Sequence, residues 1–269
     1  MSTILDLPAY LARIAHPMPA SADLATLRGL HLAHTLAIPF ENLDIQRGLP
    51  VALDLASLQA KLVRARRGGY CFEHNALFAA VLELLGFRVT RLCGRVRMGR
   101  PGGLVPPRTH MVLRVELEDG PYLADVGFGA GQLLYPLPLR PGATDCQHGW
   151  DFALATEGEA LVLRGRQPEG WIDLYLFTLE PQHPIDYEVA NHYTSTHPES
   201  GFVRSLTAQR VTPELRHLLR NRTYDQLRPD TRVRREIADP EALLGVLADS
   251  FGLRFPPGTK FAMPNFDEP

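Results

Sequence analysis

Lysine is almost missing from this 269-residue chain: Lys61 and Lys260 are its only two, and arginine carries the rest of the positive charge. The formal net charge of -2 and a pI near 6.6 leave no basic footprint for a nucleic acid and no acidic tail. We read the arginine bias as compositional, although arginine also suits phosphate. Cysteine is scarce as well. Cys71, Cys93 and Cys146 make an odd number with no CxxC, which argues against a disulfide framework and against a thiolate zinc site. No run approaches the roughly 18 apolar residues of a membrane span, and the first eleven residues carry no basic, then apolar, leader pattern. The expectation is a cytoplasmic protein in a reducing compartment. Neither GxxxxGK[ST] nor GxGxxG occurs, so P-loop and Rossmann logic do not apply, and no internal repeat or low-complexity linker is found. What remains is a globular chain, 45% hydrophobic, long enough for one large core or for two or three lobes.

The most informative stretch is Arg66-Arg67-Gly68-Gly69-Tyr70-Cys71-Phe72-Glu73-His74-Asn75. Before it, Asp54, Leu55, Leu58, Leu62 and Val63 mark a helical stripe that the two glycines stop. After it, Leu77, Phe78, Val81, Leu82 and Leu85 recur at helical spacing until Gly86. Cys71 therefore falls in the first turn of a helix, where unpaired N–H groups and the macrodipole favour a thiolate. A free cysteine is also among the most buried residue types, so a nucleophile and an inert packing residue are both open here.

Residues 1–86 read as helical, with one helix beginning at Leu7-Pro8-Ala9-Tyr10-Leu11 and a second capped by Ser21 or Asp23. His31 and His34 lie three apart on the second, a weak metal pair with no third ligand nearby. Ile38-Pro39-Phe40-Glu41-Asn42-Leu43-Asp44 follows in extended geometry. From Phe87 the period changes to two. Met111, Leu113, Val115 and Leu117 alternate with His110, Val112, Arg114 and Glu116 as a half-buried strand, and Tyr122, Ala124 and Val126 continue after a turn. A two-residue Asp119-Gly120 loop would place His110 and Asp125 on one face but four residues apart in register, about 13 Å at 3.3 Å per residue. Short strands are expected at Leu161–Arg164 and Trp171–Phe177, and a helix over Ile237 to Leu253. The proline-rich last stretch is expected to wrap another lobe, and Cys93 and Cys146 are read as packing residues.

A thiol nucleophile needs an imidazole to take its proton and a third group to orient that imidazole; Cys71, His110 and Asp125 supply these types in order. Arg67 to Asn75, Thr109-His110 and Asp125-Val126-Gly127-Phe128-Gly129 together resemble the arylamine N-acetyltransferases, as do Ile38 to Asp44 and Tyr193-Thr194-Ser195-Thr196-His197-Pro198. The resemblance spans residues 38–202 in five ordered motifs. It implies an α+β fold in three lobes: an N-terminal helical bundle over 1–86, a central β-barrel over 87–195 and a C-terminal α/β lid over 196–269, with a cysteine-protease-like core. It also implies a ping-pong reaction through acetyl-Cys71, with acetyl-CoA as donor substrate and an arylamine, arylhydrazine or N-hydroxyarylamine as acceptor, and no cofactor, metal, nucleic-acid or membrane partner. Phe40, Phe128 and Phe202 match its acceptor-pocket positions, core packing being the alternative for each. Glu41 and Arg67 match a buried bridge. His74 departs from the aliphatic or polar residue often found at its place. For CoA, the glycine-rich, basic segment Arg95 to Gly103 offers Val96, Arg97 and Gly99. A cysteine hydrolase or transglutaminase with the same triad order is the alternative enzyme reading, and a binding module on the same fold the non-enzymatic one.

Overall fold

The computed structural model describes residues 4–99, 105–129, 131–167, 169–264 and 266. Helices α1 (Leu7–Arg13), α2 (Leu24–Ala37), α3 (Leu43–Gln46), α4 (Leu55–Leu58) and α5 (Cys71–Leu84) form the first lobe, with a two-residue strand β1 (Phe40–Glu41) between α2 and α3. Asp23 caps α2 by accepting the Thr26 N–H at 2.8 Å, and Asp54 caps α4 through Ser57 at 3.0 Å. The stripe read over 54–63 is not one regular helix: α4 runs on into a π turn over Gln59–Arg64. Buried side chains surround α5 on nearly every side.

Eight strands make the second lobe: β2 (Arg88–Val96), β3 (Arg108–Leu117), β4 (Gly120–Ala124), β5 (Leu137–Pro138), β6 (Thr144–Gln147), β7 (Trp150–Glu157), β8 (Ala160–Gln167) and β9 (Gly170–Phe177). They pair antiparallel in the order β5-β4-β3-β2-β9-β8-β7-β6, a nearly closed barrel. The expected half-buried strand is instead buried on both faces along most of β3. Met111, Leu113 and Val115 pack into the core around α5, whereas Val112 faces the barrel interior with Leu92 and Leu123. A helix laid on the outside of the sheet removes the wet face that alternation had suggested.

The β3–β4 turn also differs from the expected one. Leu117 pairs with Gly120 and Leu113 with Ala124, so Glu118 and Asp119 form the loop. Gly120 takes φ +124°, which suits a residue without Cβ, and serves as the first paired position of β4. Sliding the pairing by one residue on each strand keeps the parity. It brings Asp125 level with Val112, two residues from His110 instead of four, about 7 Å along the strand.

The remaining stretch holds α6 (Pro184–Thr196), whose Tyr187 packs into the core around α5, then α7 (Gly201–Arg204), β10 (Thr207–Val211), β11 (Arg216–Arg220), β12 (Thr223–Leu227), β13 (Arg232–Glu236) and α8 (Pro240–Phe251). Its sheet runs β1-β10-β11-β12-β13, so the helical segment lends it an edge strand. Leu243, Leu247 and Phe251 of α8 pack on Leu219 and Tyr224, and Gly252 at φ +71° ends the helix. The C-terminal stretch crosses back to α3: Ala262 N–H donates to the Gln46 carbonyl at 2.7 Å, and Met263 N–H to Gln46 Oε1 at 3.0 Å. Cys93 is buried. Cys146 is exposed on β6, contrary to its reading as a packing residue, because β6 is the last strand of the sheet and its Cys146 faces out. Among the described residues no helix is long and apolar enough to cross a membrane.

Candidate active site

The loop Gly68-Gly69-Tyr70 delivers Cys71 as the first residue of α5. Tyr70 is the extended N-cap, and Glu73 Oε2 accepts its N–H at 3.0 Å, which fixes the direction in which the helix starts. Cys71 is 3% exposed, and its thiol donates to the Thr109 carbonyl at 3.5 Å. The next residue on β3 is His110, and both Cys71 and His110 line one cavity of about 300 Å³.

His110 Nε2–H donates to Asp125 Oδ2 at 2.7 Å, which leaves Nδ1 as the ring nitrogen able to accept a proton. Asp125 Oδ1 accepts the Asn75 Nδ2–H and the Gly127 N–H, both at 2.9 Å. Burial alone would raise the Asp125 carboxyl. The His110 ring and these two donors outweigh burial and hold it below the usual carboxylate range. The sequence therefore names three residues, and the structure joins His110 to Asp125 by a bond and sets Cys71 on the cavity wall that His110 also lines.

Three further side chains frame this group without having been assigned a role from sequence. Asn75, one helical turn beyond Cys71, also donates to the Met111 carbonyl at 2.7 Å and accepts the Val126 N–H at 3.1 Å. His31 accepts the Asp125 N–H on Nε2 at 3.2 Å and donates from Nδ1 to the Leu134 carbonyl at 3.1 Å. Gln132 donates to the Asp125 carbonyl at 2.7 Å and accepts the Phe128 N–H at 2.9 Å. Only Asn75 carried a signal, its i, i+4 spacing from Cys71.

The helix start does not by itself make Cys71 a thiolate. Burial pushes the thiol up, and the charge of Asp125 pushes in the same direction. A buried thiolate becomes favourable only as half of an ion pair, with its proton on an imidazole whose charge Asp125 balances.

Gly127 shows how tightly the 125–128 loop is pressed on α5. A Cβ there would lie 2.9 Å from Cys71 Cα and 3.0 Å from the Cys71 carbonyl oxygen, both backbone atoms that cannot turn aside. Gly127→Ala is expected to cost about 1–3 kcal/mol by overpacking. It should also slow alkylation of Cys71 by iodoacetamide by moving Asp125, as thermal melting and alkylation rates would show; unchanged values for both would contradict the close fit.

Phe40, Phe128 and Phe202 all face the same cavity. They are also packed: Phe128 meets the His110 ring edge-on at 5.0 Å, and Phe40 meets Phe202 at 5.9 Å. Packing and pocket lining are thus not exclusive. Glu41 and Arg67 form the expected bridge, with Arg67 Nε at 2.9 Å and Nη2 at 2.6 Å from Glu41 Oε1. Of the residues suggested for CoA, Val96 lines the cavity and Gly99 occupies a turn at φ +71°. The Arg97 guanidinium is held by Glu157 at 2.6 Å and Asp173 at 3.1 Å. Arg100 to Gly103 lie outside the described residues.

A model of the N-acetyltransferase family matches residues 23–259. The arylamine N-acetyltransferase of Mycolicibacterium smegmatis is 42% identical over 93% of this chain and 92% of its own. A Salmonella typhimurium enzyme described as an arylamine N-acetyltransferase and N-hydroxyarylamine O-acetyltransferase is 42% identical over 77% and 74%. The solved structure of the Mycobacterium marinum arylamine N-acetyltransferase in complex with CoA superposes with a TM-score of 0.88 at 39% identity, over 92% of this chain and 93% of that one.

Proposed function

The chain belongs to the arylamine N-acetyltransferase family of acyltransferases, and from that premise we propose that it moves acetyl groups from acetyl-CoA to arylamines, arylhydrazines or N-hydroxyarylamines through an acetyl-Cys71 intermediate. The observation that carries this reading is the His110–Asp125 bond of 2.7 Å opening onto the cavity that Cys71 also lines.

In the first half-reaction His110 Nδ1 takes the Cys71 proton, and the thiolate attacks the thioester carbonyl. The tetrahedral intermediate collapses by breaking the bond to the CoA sulfur, which leaves with the proton held by His110. In the second, the lone pair of a weakly basic arylamine, free at neutral pH, attacks the acetyl-Cys71 carbonyl. His110 accepts a proton from the attacking nitrogen as the C–S bond breaks, and returns it to Cys71. Asp125 holds the imidazole in the tautomer with Nε2–H and balances its charge in both steps. No metal or resident cofactor is required by this sequence. Phe40, Phe128 and Phe202 would hold the acceptor ring by offset or edge contacts.

For the donor, a second cavity of about 690 Å³ shares Met98, Thr207, Gln209 and Arg220 with the first, and Arg222 lies on its wall. CoA phosphates would meet guanidinium groups there, and Val96 lines the adjoining cavity together with Arg220. Arg97 would first have to release two carboxylates, which disfavours it as the primary phosphate contact.

Mass spectrometry after mixing with acetyl-CoA in the absence of any amine tests the central step. The expected product is one acetyl group on Cys71, lost when an arylamine is added. No adduct together with peptide or amide hydrolysis would replace the transferase with a hydrolase; no adduct and no turnover would leave a binding protein.

A further inference from the structure

A buried chain of hydrogen bonds runs from α1 to the aromatic wall of the cavity. Tyr10 Oη lies 2.8 Å from His34 Nδ1, His34 Nε2 lies 2.9 Å from His74 Nδ1, and His74 Nε2 lies 3.1 Å from the Pro39 carbonyl oxygen. None of the three side chains is more than 1% exposed. The last acceptor sets the direction of the whole chain. A carbonyl can only accept, so His74 carries its proton on Nε2 and accepts on Nδ1. His34 must then donate from Nε2 and accept on Nδ1, and the Tyr10 O–H is its donor. Burial pushes both imidazoles down, His74 to about 4, so neither gains a second proton near neutral pH. One arrangement of protons satisfies every bond.

His74 acts on the wall in two ways. It grips the carbonyl of Pro39, and its ring lies nearly parallel to that of Phe40, at 14° with centroids 6.4 Å apart. Phe40 in turn leans on Phe202, and both line the cavity that holds Cys71. Pro39 and Phe40 thus take their place from an imidazole whose tautomer is set two bonds away, on α1.

We propose that His74 is a positioning residue for the acceptor: through Pro39 and Phe40 it places the wall on which the arylamine ring lies, and Tyr10 with His34 keeps it in the tautomer that can do so. The proposal rests on reading Cys71 as the acetyl carrier and Phe40 as an acceptor contact. It predicts that the two half-reactions separate, because acetylation by acetyl-CoA does not require the acceptor ring to be placed.

The test follows acetyl-Cys71 by rapid-quench mass spectrometry, first its formation from acetyl-CoA and then its loss against arylamine concentration. The wild-type protein is measured first, and failure to form acetyl-Cys71 there would defeat the functional reading and not this one. For His74→Leu, the arylamine concentration giving half-maximal deacetylation is expected to rise about tenfold while the acetylation rate stays within about twofold. His74→Gln, whose amide can accept from His34 and donate to Pro39, should recover most of the loss. Tyr10→Phe removes one hydroxyl at the far end of the chain and should shift the same parameter in the same direction, by a smaller factor. An unchanged acceptor dependence in His74→Leu, equal slowing of both half-reactions, or no recovery in His74→Gln would overturn the proposal. If His74→Leu does not fold, Tyr10→Phe decides, and an unaltered acceptor dependence there would overturn it.

Discussion

His110→Gln is expected to lower kcat/KM for arylamine acetylation by roughly 10³ to 10⁴ and to move alkylation of Cys71 by iodoacetamide from near pH 6 to above about pH 8.5. Two opposing effects act on the thiol. The first turn of α5 favours the anion, whereas burial and the neighbouring Asp125 charge disfavour it and prevail. In the ion-pair account the imidazole reverses the balance because the proton does not leave the site: it would pass to His110, 2.7 Å from a carboxylate held below its usual range. Without that ring, Asp125 keeps Asn75 and Gly127 as donors and remains a bare negative charge near the thiol. The variant should then react more slowly than a free cysteine would at the same pH. If His110→Gln is alkylated at pH 6 as fast as the native protein, the helix start alone activates Cys71 and the ion-pair account is wrong.

The parts of this site that could be read from sequence are those set by local pattern. Two glycines followed by an apolar stripe place Cys71 at a helix start, and strand parity puts His110 and Asp125 on one face. The parts that depend on tertiary packing have no such local pattern behind them. The hairpin loop is expected at Asp119-Gly120, whereas the strands close one residue earlier at Glu118-Asp119, with β3 packed between α5 and the barrel interior. Helix α6 buries Tyr187, Asn191 and Thr194 on one face, but two of the three are polar, so no apolar stripe marks it, and β13, Arg232–Glu236, is exposed at every position. The lid sheet was therefore expected from family resemblance and not from periodicity. The Tyr10–His34–His74 chain joins residues 24 and 40 positions apart, with nothing local to announce it. His31 and His34 looked like a possible ligand pair at i, i+3, yet they serve different neighbours, the backbone of Asp125 and the ring of His74.

Glu41→Gln is expected to destabilise the fold by about 3–5 kcal/mol, the cost of breaking a buried ion pair, and to leave most of the expressed protein insoluble. Glu41 is fully buried, and its two oxygens are both used: Oε1 accepts from Arg67 at 2.6 and 2.9 Å, Oε2 accepts the Leu43 N–H at 2.7 Å. A glutamine has one oxygen for these two tasks, so either Arg67 or the Leu43 N–H faces an NH₂ group. The surrounding network gives a second readout. Lys61 bridges Glu73 at 2.7 Å and Asp44 at 2.8 Å, and Arg67 reaches Asp44 at 3.0 Å, so three carboxylates share two principal cations. Burial, with Glu41 adding repulsion against the pull of Lys61, raises the Glu73 carboxyl from 4.5 to about 7. The folded protein therefore binds a proton between those values that the unfolded chain does not, and this group's stabilisation is full below about pH 4.5 and lost as pH rises through 7. Removing the Glu41 charge lets Glu73 titrate lower. The soluble fraction of Glu41→Gln should accordingly melt roughly 6–20 °C lower at pH 7, and its melting temperature should fall less between pH 5 and 7 than that of the native protein. Native melting temperature with native activity would remove Glu41 as the anchor of the turn before Cys71, and an unaltered slope between pH 5 and 7 would remove the coupling to Glu73.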